Sequence, residues 1–182
     1  MLRPVLQNVT ILLLFVLPAM TMRTYSEERR SGTIELLLTS PITDWEIILG
    51  KFFGALSLYG VMLAVTLVHT AVLFVYGSPE WKPIIASYLG LVLLGGSFLS
   101  VGLFISTLTT NQIVAYITTF SVFLFLWVIS WLGSFSTGFW TDLTSYLSII
   151  EHFDDFSKGV IDTTHVIYYL SLITFGLFLT AK

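Results

Sequence analysis

The residues of this 182-residue chain that could do chemistry fall into two runs. The first is Glu151-His152-Phe153-Asp154-Asp155, with His165 further on. Carboxylates beside imidazole could ligate a metal or act as acid and base, and Glu151, His152 and Asp154 would be the core of a hydrolase or transferase on the outer face. The spacing matches no standard ligand set, and nothing nearby in the sequence builds the outer shell that orients metal-bound histidines. No nucleophile signature accompanies the two histidines. Solvated acids near a membrane interface are the simpler reading. The second run, Trp45-Glu46-Ile47-Ile48-Leu49-Gly50-Lys51-Phe52, ends on a Gly-Lys pair. A phosphate loop needs an earlier glycine and a Ser or Thr after the lysine, so this is not an ATP site. The chain has no cysteine, which excludes disulfides, thiolate metal sites and cysteine nucleophiles.

The Gly-Lys pair closes a charged block. Between Met22 and Phe52 stand Arg23, Glu27, Glu28, Arg29, Arg30, Glu35, Asp44, Glu46 and Lys51, four of the eight cations and five of the eleven anions. Thr43-Asp44-Trp45-Glu46 reads as a capping box: the Thr43 hydroxyl accepts from the Glu46 amide, and the Glu46 carboxylate from the Thr43 amide. Ile42 and Ile47 suit a hydrophobic staple, Asp44 complements the helix dipole, and Lys51 falls about 12 Å along the helix. Before Pro41 a shorter helix is predicted over Thr33 to Ser40, capped by Gly32, with Glu35 in its first turn. Ile34, Leu37 and Leu38 make its apolar stripe. Two turns are too few to stand alone in water. Either this helix docks on a cytosolic partner, or it lies on its own membrane.

The elements that must position these runs are transmembrane helices. Hydrophobic residues are 55% of the chain and charged residues 10%, against roughly 25% charged in soluble domains. Mean hydropathy is +0.90. The expected class is all-α: a polytopic helix bundle with about five spans, since about 20 apolar residues cross a bilayer and closed backbone hydrogen bonding is required there. The expected spans are Pro4 to Met22 (with a kink or break at Pro18), Thr43 to Tyr76, Pro83 to Leu108, Ile113 to Leu132, and His165 to Thr180. Residues 1–182 read as one membrane domain, with a cytoplasmic region at 23–51 and an outer amphipathic or re-entrant segment at 134–164. In that segment Phe139, Leu143, Tyr146, Leu147, Ile150 and Phe153 recur at helical spacing. Asn111 and Gln112 mark a tight turn. Gly96 with Ser100, and Gly102 with Ser106, form small-residue pairs that admit close helix approach, either at a subunit or gating interface or within the chain; Gly50 and Gly54 pose the same choice. His69 lies inside a span and is expected to make one interhelical hydrogen bond.

Positive charge sets orientation. With the 23–51 block in the cytoplasm, Arg23, Arg29, Arg30, Lys51 and Lys182 lie inside, and Arg3, Lys82 and Lys158 outside with all six remaining acids. Five spans then put the amino terminus outside, and one further helix upstream, completing six, is the expected remedy. A net charge of −3 gives no reason to expect nucleic acid.

The stretch from Tyr25 to Pro41, with Trp45 and Gly50-Lys51, resembles the ABC type-2 permease family, and looks nearest the branch of gliding-motility-associated permeases. The family pattern E-x-x-x-G-T-x-E-x-L-x-x-S-P falls here on Glu28, Gly32, Thr33, Glu35, Leu37, Ser40 and Pro41. The resemblance implies six-helix subunits that pair in the membrane, as homo- or heterodimers, and bind cytosolic ABC ATPase subunits. It makes Thr33 to Ser40 a coupling helix, with Glu27, Glu28, Arg29, Arg30, Gly32, Thr33, Glu35, Leu37, Leu38, Ser40 and Pro41 at the ATPase contact and Thr43 and Glu46 as the cap behind it. The family's first helix and preceding amphipathic helix have no counterpart in this chain.

The implied function is the membrane-spanning permease of an exporter in the bacterial cytoplasmic (inner) membrane. The spans carry no Asp, Glu or Arg at bilayer depth, where proton-coupled transporters keep carboxylates. The expected energy source is therefore ATP with magnesium, bound by the partner and not by this chain, which is expected to hold no cofactor or metal and to catalyse nothing itself. The alternatives are a scaffold or anchor that transports nothing, and the outer-face enzyme described above.

Overall fold

In a computed structural model, residues 2–35, 39, 41–77, 80–133, 144 and 146–182 are described, without side chains for 2–7 and 130–133. The described residues form seven helices and no strand: α1 Leu2–Thr21, α2 Ser26–Ser31, α3 Asp44–Tyr76, α4 Trp81–Thr107, α5 Gln112–Gly133, α6 Ile149–Ser157 and α7 Thr163–Thr180. Five segments are long and apolar enough to cross a membrane: Asn8–Ser31 (joining α1 and α2), α3, α4, Gln112–Ile129 in α5, and α7. The protein is thus an all-α polytopic bundle, as its hydropathy requires.

α4 is the hub. Of its most apolar stretch 72% is buried within the protein, against 17% for α3 and 22% for α5 and α7. Small residues make this possible. A Cβ on Gly95 would stand 2.1 Å from the Tyr59 ring of α3, one on Gly90 2.8 Å from Phe156 of α6, and one on Gly96 3.1 Å from Ile173 of α7. A Cβ on Gly176 of α7 would stand 2.9 Å from the Ser100 backbone carbon. Intramolecular packing is therefore where the small residues of α4 are used. Gly50 and Gly54, by contrast, face open space. Larger groups complete the core: the Phe98 and Phe123 rings stack at 3.9 Å between α4 and α5, and Tyr59 donates to the Leu91 carbonyl at 2.7 Å.

Helix ends follow their local chemistry. The capping box at α3 is present, with the Thr43 amide donating to Glu46 Oε2 at 2.8 Å and the Glu46 amide to Thr43 Oγ1 at 3.4 Å. Asp162 caps α7 by accepting from the Thr164 amide at 2.9 Å. Asn111 Oδ1 accepts from Ile113 N–H at 2.9 Å, closing the turn into α5. α1 runs through the buried Pro18, and the helical path breaks instead at residues 22–25.

Three expectations need correction. Residues 26–31, a part of the charged block where the sequence predicts no helix, are helical, and Gly32, expected to cap the helix that follows, ends this one in the left-handed region at φ 73°, where a side chain is strained. The Gly32 carbonyl also accepts from the Glu35 amide at 3.3 Å, and Thr39 N–H bonds the Glu35 carbonyl at 3.0 Å. Leu37, Leu38 and Ser40 lie outside the described residues. His69 is exposed on α3 and makes no hydrogen bond among the described residues; the polar link there is Tyr88 Oη with Thr66 and Thr70, at 2.9 and 3.0 Å. Finally, no single helix spans Tyr146 to Phe153. Ser148 interrupts it and caps α6, its hydroxyl accepting from Glu151 N–H at 3.3 Å. Phe139 and Leu143 fall outside the described residues.

Candidate functional site

The charged segment between α1 and α3 is held to the bundle by interactions its sequence does not announce. At the far end of α4, Ser106 Oγ accepts from the backbone N–H of Tyr25 and of Ser26, each at 3.1 Å, and its hydroxyl lies 3.2 Å from the Met22 carbonyl. Tyr25, Ser26 and Ser106 are all buried. One serine thereby satisfies the amides that begin α2, which no intrahelical carbonyl can reach. α2 itself carries Glu27 and Glu28 in its first turn and Arg29 and Arg30 in its last, the favourable arrangement for the helix dipole.

Lys51 reaches back from α3 to the same place. Its ammonium stands 2.5 Å from Glu28 Oε2, donates to the Thr24 carbonyl at 2.8 Å, and lies 4.3 Å from the centre of the Tyr25 ring. Three different acceptors fix one cation, and both charged side chains are largely shielded from water. Arg29 donates from Nη1 to the Thr107 carbonyl at the end of α4. α2 is thus tied to α3 through Lys51 and to α4 through Ser106 and Thr107.

Of the residues assigned to the partner contact, Glu28 and Arg29 bond within the chain. Glu27, Arg30, Gly32, Thr33, Glu35 and Pro41 are exposed. A cleft of about 440 Å³ opens beside them, lined by Tyr25, Arg29, Asp44, Ile47, Thr107 and Lys182 among others. Sequence reasoning gave Tyr25, Ser26 and Ser106 no part in holding α2; the one available signal was Ser106 itself, offered only as half of a small-residue pair at the last turn of α4.

The second candidate run lies at the opposite end of α4, where Gly159 packs on Pro83. The acidic and imidazole groups there pair off rather than converge on one point, with His165 Nε2 3.0 Å from Asp155 Oδ2. Glu151 is exposed, Asp154 is 2.6 Å from Lys158 Nζ, and His152 is buried against Tyr168 with ring centres 3.9 Å apart. Among the described residues no group of three His, Asp or Glu could hold a metal ion. Burial draws the His152 pKa below the ordinary imidazole value. Hydrogen bonding from Lys158, then from His165, holds the Asp155 carboxyl below the usual carboxylate range.

Comparison with known proteins gives one family. The family model described as ABC-2 family transporter protein matches residues 7–179. The probable multidrug ABC transporter permease YbhR of Escherichia coli, from strain K12 and from O157:H7, is 29% identical to this chain over 140 residues. That alignment covers 74% of this chain and 37% of the relative, so the chain spans little more than a third of the length of these relatives. No solved structure matches. The match is to the family as a whole and does not single out the gliding-motility branch.

Proposed function

The chain belongs to the ABC-2 transporter family, and from that premise we propose that it is the membrane-spanning permease part of an exporter driven by a separate cytosolic ATPase. A permease with no phosphate loop of its own needs its work delivered from outside the bilayer. The observation that carries the reading is the double tether of α2. Lys51 ties it to the start of α3, and Ser106 and Thr107 tie it to the end of α4. A push on the exposed Glu27, Arg30 and Glu35 edge moves a segment that cannot shift without the two helices it is bonded to. α4 touches every other span, so displacement there is felt across the bundle.

In this reading ATP and magnesium sit in the ATPase, a second permease completes the membrane pathway, and the assembly works in the bacterial cytoplasmic membrane. Cargo of the multidrug kind, which the relative's name states for that protein, is compatible with the apolar span surfaces. A scaffold without transport would not need the tether to reach α4, the most deeply packed helix.

The test is the double substitution Glu35→Lys with Leu37→Asp. It reverses the charge of the exposed Glu35 and removes one residue of the Ile34, Leu37, Leu38 sequence stripe, and it replaces none of the tether residues Lys51, Ser106 and Thr107. Co-purification of the ATPase is expected to fall at least tenfold while helicity and thermal unfolding of the permease stay unchanged. Undiminished co-purification would remove the proposal.

A further inference from the structure

Four groups at the end of the bundle remote from α2 form a chain of hydrogen bonds. His152 Nε2 is 3.0 Å from the Tyr146 carbonyl, His152 Nδ1 is 2.6 Å from His165 Nδ1, and His165 Nε2 is 3.0 Å from Asp155 Oδ2. The proton positions follow from the partners. A carbonyl only accepts, so His152 Nε2 carries a hydrogen. Asp155 is held ionised, with Lys158 Nζ 2.9 Å from its other oxygen, so His165 Nε2 carries one too. With both rings neutral, each Nδ1 would be a bare lone pair. Two bare lone pairs facing at 2.6 Å repel, so a cation must lie between them.

A proton fits that gap and a metal does not. Nitrogens bound tetrahedrally to zinc at about 2.0–2.1 Å stand about 3.3 Å apart, well beyond the observed separation. No third ligand is in place among the described residues. We infer that His152 and His165 share a single proton, and that this proton clips α6 to α7. The clip has two ways to open. Without the proton the lone pairs face each other; with a second proton two N–H groups do.

The surroundings favour one proton over two. Burial and the charge on His165 both oppose a charge on His152, so the second proton enters only below the ordinary histidine pKa of about 6.5. Among the described residues, the charged groups facing the pair are Glu151 and Asp155 on α6, with Lys158 bonded to Asp155, and Asp162 at the start of α7. Tyr168 and Tyr169 face it from α7 and Tyr146 from the preceding turn. The described side chains of α1, α4 and α5 that meet α6 include Asn8, Thr10, Ser87 and Trp127, none of them charged. Tyr168 and Tyr169 donate to the Leu147 and Ile149 carbonyls at 3.0 and 2.8 Å and keep α6 at its post when the clip opens. α6 then loosens rather than leaves, so its mobility has a minimum at intermediate pH and rises on both sides.

The chain has no cysteine, so spin labels at Ile150→Cys on α6 and Leu170→Cys on α7 report this directly. The full chain in lipid nanodiscs is titrated from acid to alkaline pH, with 15N-histidine NMR in parallel. The expected result is a narrow label-to-label distance at intermediate pH that broadens on both limbs, with one strongly deshielded proton coupled to two ring nitrogens. His165→Gln is expected to be broad at every pH. Asp155→Asn, which alters a half-buried residue and leaves both rings, is expected to move the alkaline limb to lower pH. A distance distribution flat across pH, or two independent histidine titrations, would overturn the shared proton. So would narrowing that requires added zinc and is lost to chelator, which would assign the pair to a metal.

Discussion

Lys51 shows how much a single residue's role depends on what folds against it. In sequence it sits beside Gly50 as half of a false phosphate loop, and it can either reach the headgroups or meet an acidic partner. In the fold it is fully engaged, with Glu28, the Thr24 carbonyl and the Tyr25 ring around it. Its side chain is 16% exposed and that of Glu28 26%, so the pair is screened less than a surface ion pair but is not dry. Lys51→Met would leave the Glu28 carboxylate without its counter-ion, at an expected cost of about 1–2 kcal/mol once partial exposure is discounted. Glu28→Gln should cost less, because the Thr24 carbonyl and Tyr25 still hold the ammonium. The double substitution should cost less than the two losses added together, by about 0.5–1 kcal/mol. Unfolding of the three variants in mixed micelles measures this; strict additivity would mean that the pair contributes nothing.

Elements were legible in proportion to how far their cause is local. The four long spans α3, α4, α5 and α7 begin and end within two residues of where apolar runs, caps and turn residues put them, because lipid length and capping chemistry act on contiguous sequence. α2 was not legible: six polar and charged residues carry no apolar stripe, and its helix exists because Ser106, eighty positions away, satisfies its first amides. The histidine pair was hidden for the same reason, since its two members meet only when the chain folds back between α6 and α7. For the glycines the sequence left two readings, and distance separates them. Gly176→Ala would set a methyl group 2.7 Å from Ser100 Oγ and 2.9 Å from its backbone carbon. Backbone cannot rotate away, so α4 and α7 must part, at a cost of about 1–3 kcal/mol. Gly60→Ala meets nothing within 4 Å and should be neutral or stabilising by up to about 1 kcal/mol, through helix propensity alone. In the same detergent the unfolding temperature is expected to fall for Gly176→Ala and to hold or rise for Gly60→Ala, and equal shifts would contradict the packing described for α4.

For the whole molecule, the organising fact is that α4 joins two chemically different ends. Its last turn holds the charged segment through Ser106, and its first turn meets the Gly159 corner through Pro83. A helix of 27 residues is about 40 Å long at 1.5 Å per residue, enough to cross the hydrocarbon and emerge on both sides. α2 and α6 must then lie on opposite faces of the membrane. On the reading proposed above, charge assigns the faces: the α2 end carries Arg23, Arg29, Arg30, Lys51 and Lys182, and the α6 end carries more acids than bases. Positive charge stays in the cytoplasm, which is also where an ATPase could reach the loop. Single cysteines at Ser31 and Val160, both exposed, make this measurable in a chain with no other thiol. A membrane-impermeant maleimide added to intact spheroplasts is expected to label Val160→Cys, and to label Ser31→Cys only after the membrane is opened. The reverse pattern would turn the tether toward the exterior, beyond the reach of any cytosolic motor. Labelling of both in intact cells would mean that the two ends are not separated by the bilayer, and α4 would lose its place as the central span.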